Sequence, residues 1–158
     1  SSLSLLHENT FDTKDFKSIN LKEYILNHDM KTKRQIDAEI EFETYVDENL
    51  NITMEVITPL LLIIDELTMD SIKYASPNKT APNKITKKIT KSDDNTASLV
   101  FKYCRLENED SQNATHTIRC EIIKSLTKQL NGTISLTEDD HETTYKLTFP
   151  TDMEHTIH

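Results

Sequence analysis

Apolar residues Ile36, Ala38, Ile40, Phe42 and Val46 fall on alternate positions among acidic ones, the period of two that a half-buried strand requires. The segment "NITMEV" reads as its short antiparallel partner, with Glu48 and Asn49 near the turn. Upstream, Leu21, Tyr24 and Ile25 in "NLKEYILNHDMK" recur at helical spacing, and Leu3, Leu5 and Leu6 mark the end of an earlier helix. Pro59 suits a helix first turn, and the pattern from there to about Ser76 is helical, ended by Pro77 and Asn78. The basic run "NKITKKITK" reads as a solvated strand or loop edge, and "ASLVFKYC" as a strand. Ile118, Ile122, Leu126 and Leu130 form the stripe of a further helix, with Gly132 placed for its C-cap. The end reads as a hairpin, "TISLTEDDHETTYKLTF", turning at "EDDH".

This order predicts an α+β, two-layer sandwich: a mixed sheet with helices on one face. The 158 residues suit one domain over 19–150, with a connector at 1–18 and a tail at 151–158. In the helix after Pro59, Leu60, Leu61, Ile64, Leu67 and Ile72 project to one side, and Glu66, Asp70 and Lys73 stack on the opposite face. Leu62 and Ile63 project near those acids, which predicts a cover over the first half of that face and makes the helix one wall of a cleft. The plainer reading of the same face is a solvated charge ladder.

Composition narrows the chemistry. A net charge of -9 argues against nucleic-acid binding, which needs a basic excess. The chain holds 1 glycine, where average usage of about 7% gives roughly eleven. Glycine-rich phosphate loops of the Walker and dinucleotide kinds are thereby excluded. Cys104 and Cys120 are too far apart for a metal-binding pair, nothing at the start resembles a signal peptide, and no apolar run reaches membrane-spanning length. A reducing cytoplasm fits these facts. His28, His116, His141, His155 and His158 lack ligand spacing and read as surface residues. Asp93–Asp94 and Asp139–Asp140 read as turn chemistry.

The segment "PLLLIIDELTMDSIKYASPN" resembles, without gaps, the N box of sensor histidine kinases of the second histidine-kinase subfamily. "SLLHENTFDTKDFKSINLKEYI" is similar to the stretch those kinases carry between their dimerisation helices and ATP-binding domain. "EIIKSLTKQLNGTISL" with "TTYKLTFP" looks like their last helix and hairpin. The resemblance implies the Bergerat-type ATPase fold shared with gyrase and MutL. It also implies ATP and magnesium as cofactors, a response regulator or the kinase's own dimerisation and phosphoacceptor helices as partners, and a homodimeric parent protein that can be membrane-attached. Within it Glu66 matches the catalytic-face Glu, Lys73 and Tyr74 match the Lys-Tyr pair, and Asp70 stands where the magnesium-binding Asn is expected. His7 in "LLHENTF" falls at the tail of the second dimerisation helix, so the acceptor histidine is expected further upstream.

The nucleotide boxes depart from the pattern. Where the family carries Asp-x-Gly-x-Gly the chain has "FKYCRLENED", and where it carries its second glycine box the chain has "ATHTIRCEII", with Arg119 near a glycine position. A bulky Arg119 obstructs phosphate approach or serves as an anion contact instead. The expected function is therefore a histidine-kinase catalytic domain with impaired or lost nucleotide binding. The alternatives are a fully active autokinase domain, with Glu66 and Asp70 holding magnesium, and a non-catalytic docking module for a response regulator.

Overall fold

The computed structural model describes residues 18–36, 40–75, 83–104, 112–139 and 142–152, without the side chains of 73–75, 83 and 112–120. The expected helix at residues 1–9 lies outside them. In chain order the elements are β1 (Ile19–Asn20), α1 (Leu21–Gln35), β2 (Ile40–Val46), β3 (Asn51–Ile52), α2 (Met54–Ala75), β4 (Asn83–Asp93), β5 (Thr96–Cys104), α3 (Gln112–Gln129), β6 (Thr133–Glu138) and β7 (Glu142–Pro150). Five strands form one mixed sheet in the order β2-β4-β5-β7-β6, parallel between β2 and β4 and antiparallel elsewhere. The helices cover one face, where Ile85, Ile89, Leu99, Phe101, Tyr145, Leu147 and Phe149 meet Ile25, Ile57, Leu60, Ile64 and Leu67 in one core. No helix among the described residues is long and apolar enough to cross a membrane.

The predicted sandwich is the observed one, with local corrections. "NITMEV" is not the partner of β2: Asn51 and Ile52 pair antiparallel with Asn20 and Ile19, and the helix begins directly after Thr53. It starts at Met54, so Pro59 lies inside it and omits the N–H that would otherwise reach the Glu55 carbonyl. The basic run forms β4, an interior strand between β2 and β5, and Lys87 on it is only 1% exposed. On α3, Ile122 is 46% exposed, while Ile123, Thr127 and Leu130 form the buried stripe.

Helix ends follow local chemistry. Asn20 caps α1, its side-chain oxygen accepting from Lys22 N–H at 3.1 Å, and Lys33 and Arg34 in the last turn suit the negative end of the helix dipole. At the end of α3, Gly132 N–H donates to the Thr127 carbonyl at 2.9 Å and Asn131 N–H to the Lys128 carbonyl at 3.0 Å. This is a Schellman motif whose left-handed residue is Asn131, at φ 61°, and not Gly132. Gly132 is needed for a different reason: a Cβ there would lie 2.5 Å from the Thr148 carbonyl oxygen on β7.

Gly132→Ala should therefore cost about 1–3 kcal/mol, the usual range for forcing an atom into packed structure, whereas Asn131→Gly should be tolerated. Thermal melts followed by circular dichroism read both; equal melting of Gly132→Ala and wild type would show that the β6–β7 hairpin yields freely. In the β4–β5 turn, the Thr96 hydroxyl and the Asn95 N–H donate to the Asp93 carboxylate, holding its pKa below the ordinary aspartate value. The contribution of a group depressed in this way is present above its unfolded-chain pKa and lost as pH falls through the folded one. Thr96→Val should move the Asp93 titration midpoint upward in carboxyl-carbon NMR, and an unmoved midpoint would remove the hydroxyl as the cause.

Candidate functional site

Helix α2 runs over the middle of the sheet, packing on β4, β5 and α3. Leu60, Ile63, Ile64 and Leu67 are buried, and Leu61 and Ile72 partly so. Of the two residues expected under a cover, Ile63 is buried and Leu62 is 47% exposed among the described residues. Leu62 belongs instead to an outward stripe with Glu55, Asp65 and Met69. Asp65 Oδ1 meets His28 Nε2 of α1 at 2.8 Å. His28, expected on the surface, has a side chain only 14% exposed for this reason.

That contact marks the side of α2 that faces α1. Glu66 and Asp70 lie about 100° and 140° further round the helix than Asp65, on the flank turned away from α1. Glu66 is partly buried, and Asp70, expected on an outer face, is 0% exposed. Ser71 beside it is also buried, its hydroxyl bonded to the Thr68 carbonyl at 2.7 Å. Lys73 and Tyr74 occupy the last turn of α2 and Arg119 the N-terminal half of α3. Their side chains, and the segment 105–111, lie outside the described residues.

These elements converge on one end of the sheet. There Ile40 of β2 pairs with Asn83 of β4, and Ile85 of β4 with Tyr103 of β5. α2 ends, and α3 begins, one short connection from those strand ends. The same end carries residues that the sequence reading did not single out. Tyr103 and Thr143 pair across β5 and β7, both buried on the helix-covered face next to Tyr145. Among the described residues the Thr143 hydroxyl has no hydrogen-bond partner.

Among the described residues no group of three or more His, Cys, Asp or Glu converges as a metal site. Magnesium is usually held by one or two carboxylates plus nucleotide phosphate and water, so Glu66 and Asp70 suffice in number. The ion nevertheless needs an accessible oxygen, and the burial of Asp70 does not fit that requirement as the side chain stands. A hollow on β2 and β4, lined by Glu43, Thr44, Tyr45, Thr86, Lys87, Lys88 and Thr90, includes none of these residues.

Comparison with solved structures decides the architecture. The chain has TM-score 0.76 to the blue-light activated histidine kinase of Erythrobacter litoralis, at 12% identity over 99% of this chain and 48% of that one. The catalytic domain of histidine kinase ThkA matches at TM-score 0.67 and 13% identity, over 87% of this chain and 98% of that one. This chain has the fold of a histidine-kinase catalytic domain. Full-length ShkA, solved in complex with AMPPNP, gives TM-score 0.61 at 9% identity over 85% of this chain and 31% of that one. The histidine-kinase fold is thus shared at identities too low to carry function with it, and the chain spans about half or less of the two longer kinases. No family model and no curated protein matches the sequence.

A buried hydroxyl without a partner is a net cost, so Thr143→Val, which keeps shape and removes the polar atom, should stabilise the fold by about 1 kcal/mol. Chemical denaturation measures this; a fall in stability would show that the hydroxyl is bonded in solution.

Proposed function

We propose that this chain is the catalytic, ATP-binding-like domain of a sensor histidine kinase in two-component signalling, with nucleotide binding weakened or lost. The observation that carries the reading is the placement of "DELTMDSIKY" on the central helix of a histidine-kinase fold. The fold supports the signalling role. The burial of Asp70, the single glycine of the whole chain and Arg119 near a glycine-box position support the weakened binding.

In this reading Glu66 faces the cleft between α2 and α3, and Asp70 replaces a neutral asparagine with a carboxylate that repels a triphosphate. Lys73, Tyr74 and Arg119 are the remaining candidates for nucleotide contact. The domain works in the cytoplasm on a homodimeric parent, and its partners are a response regulator and the parent's phosphoacceptor helices. The second reading is an active autokinase domain. It draws on the AMPPNP complex of the similar ShkA and on the partial exposure of Glu66. Magnesium, when bound, supplies positive charge to the phosphates; Glu66 would hold it, and Asp70 would join only after reaching the surface.

Calorimetric titration with AMPPNP and magnesium separates the two. The expected result is no heat at millimolar nucleotide for a domain shown to be folded by its melting transition. Micromolar binding that weakens in both Glu66→Ala and Asp70→Ala would overturn the proposal in favour of the active kinase. Asp70→Asn, which restores the family's residue type, should bind at least as well as wild type.

A further inference from the structure

Lys87 lies on the helix-covered face of β4, between the buried Ile85 and Ile89. Its Nζ donates to Asp29 Oδ1 at 2.5 Å and stands 4.6 Å from the centroid of the Phe42 ring. The other carboxylate oxygen of Asp29 accepts from Thr44 Oγ1 at 2.5 Å. Thr44 and Lys87 are register partners across the parallel β2–β4 pair. Two donors on adjacent strands, one charged and one neutral, therefore each hold one oxygen of the same carboxylate.

We infer that Lys87, Thr44 and Phe42 form a carboxylate-binding site built into the sheet, with Asp29 as its resident ligand. The donors are supplied by rigid strands, and the ligand by a separate element, α1. The buried residues of α1 are Leu21, Ile25 and Asp29, so between Ile25 and the partly buried Ile36 just past its end this carboxylate is the buried contact of the helix. Lys31, Lys33, Arg34 and Gln35 that follow are exposed. The second half of α1 is docked as a tethered anion would be. The geometry selects a planar anion with two acceptor oxygens, and a spherical halide does not satisfy both donors.

Removing the ligand and supplying it from solution tests the site on the full chain. Asp29→Ala leaves the Lys87 charge buried and uncompensated, and its melting temperature should fall on the order of 10 °C. Sodium formate should restore part of that loss saturably, beyond what sodium chloride at equal ionic strength achieves. Adding Lys87→Met should abolish the difference. Formate no better than chloride, or equally effective without Lys87, would overturn the site. Should Asp29→Ala fail to fold, Asp29→Asn keeps the shape and removes the charge. Amide exchange should then quicken over residues 29–35 of α1 with α2 unchanged, and uniform acceleration, or none, would overturn the docking.

Discussion

An ammonium group buried in the middle of a sheet has to be neutralised where it lies, because the apolar layer around it cannot solvate the charge. Lys87 imposes that condition on the fold, and Asp29 meets it from α1. Leu21, Ile25 and Asp29 are spaced by four, so the charge contact and the apolar contacts specify the same rotation of α1. His28, about 100° round from Asp29, is then delivered to Asp65 on α2. Fixing Asp65 in turn sets Glu66 and Asp70 on the flank away from α1. One buried charge pair is thus linked, in two steps, to the helix that carries the candidate site.

Such a pair is a poor source of net stability, since desolvating two charges offsets much of their attraction. Its value is geometric. Replaced by apolar residues of the same volume, the pair would leave Leu21 and Ile25 to specify the rotation of α1 without it. The acids of α2 differ in exposure, Glu66 retaining some and Asp70 none.

The sandwich and its helix-covered face were legible in the sequence, because alternation in β2, β5 and β7 and the Leu21–Ile25 and Leu60–Ile64–Leu67 spacings are local signals. The site's helix was legible too, through the resemblance carried by one segment. The burial of Asp70 was not, since helical projection gives direction but not what neighbouring elements cover. β4 was misjudged because lysine content outweighed periodicity. Ile85, Lys87 and Ile89 alternate correctly for an inward face, and that spacing was the available clue. Asp29, four residues after Ile25, carried the same clue. Pairing of Asn51–Ile52 with Ile19–Asn20 had no sequence signal, because two-residue strands are too short for any period to register.

That small ladder has a mechanical consequence. β1 passes directly into α1, β3 passes through Thr53 into α2, and Leu21 N–H bonds the Leu50 carbonyl beside them. Both helices are therefore hinged on one pair of rungs. Thr53 N–H is tied in turn to Thr151, and Thr151 N–H to Asn95, so the rungs are braced against the far end of the sheet. A change in the pairing at Ile19 and Asn20 therefore reaches α1 and α2 together, without having to cross the core.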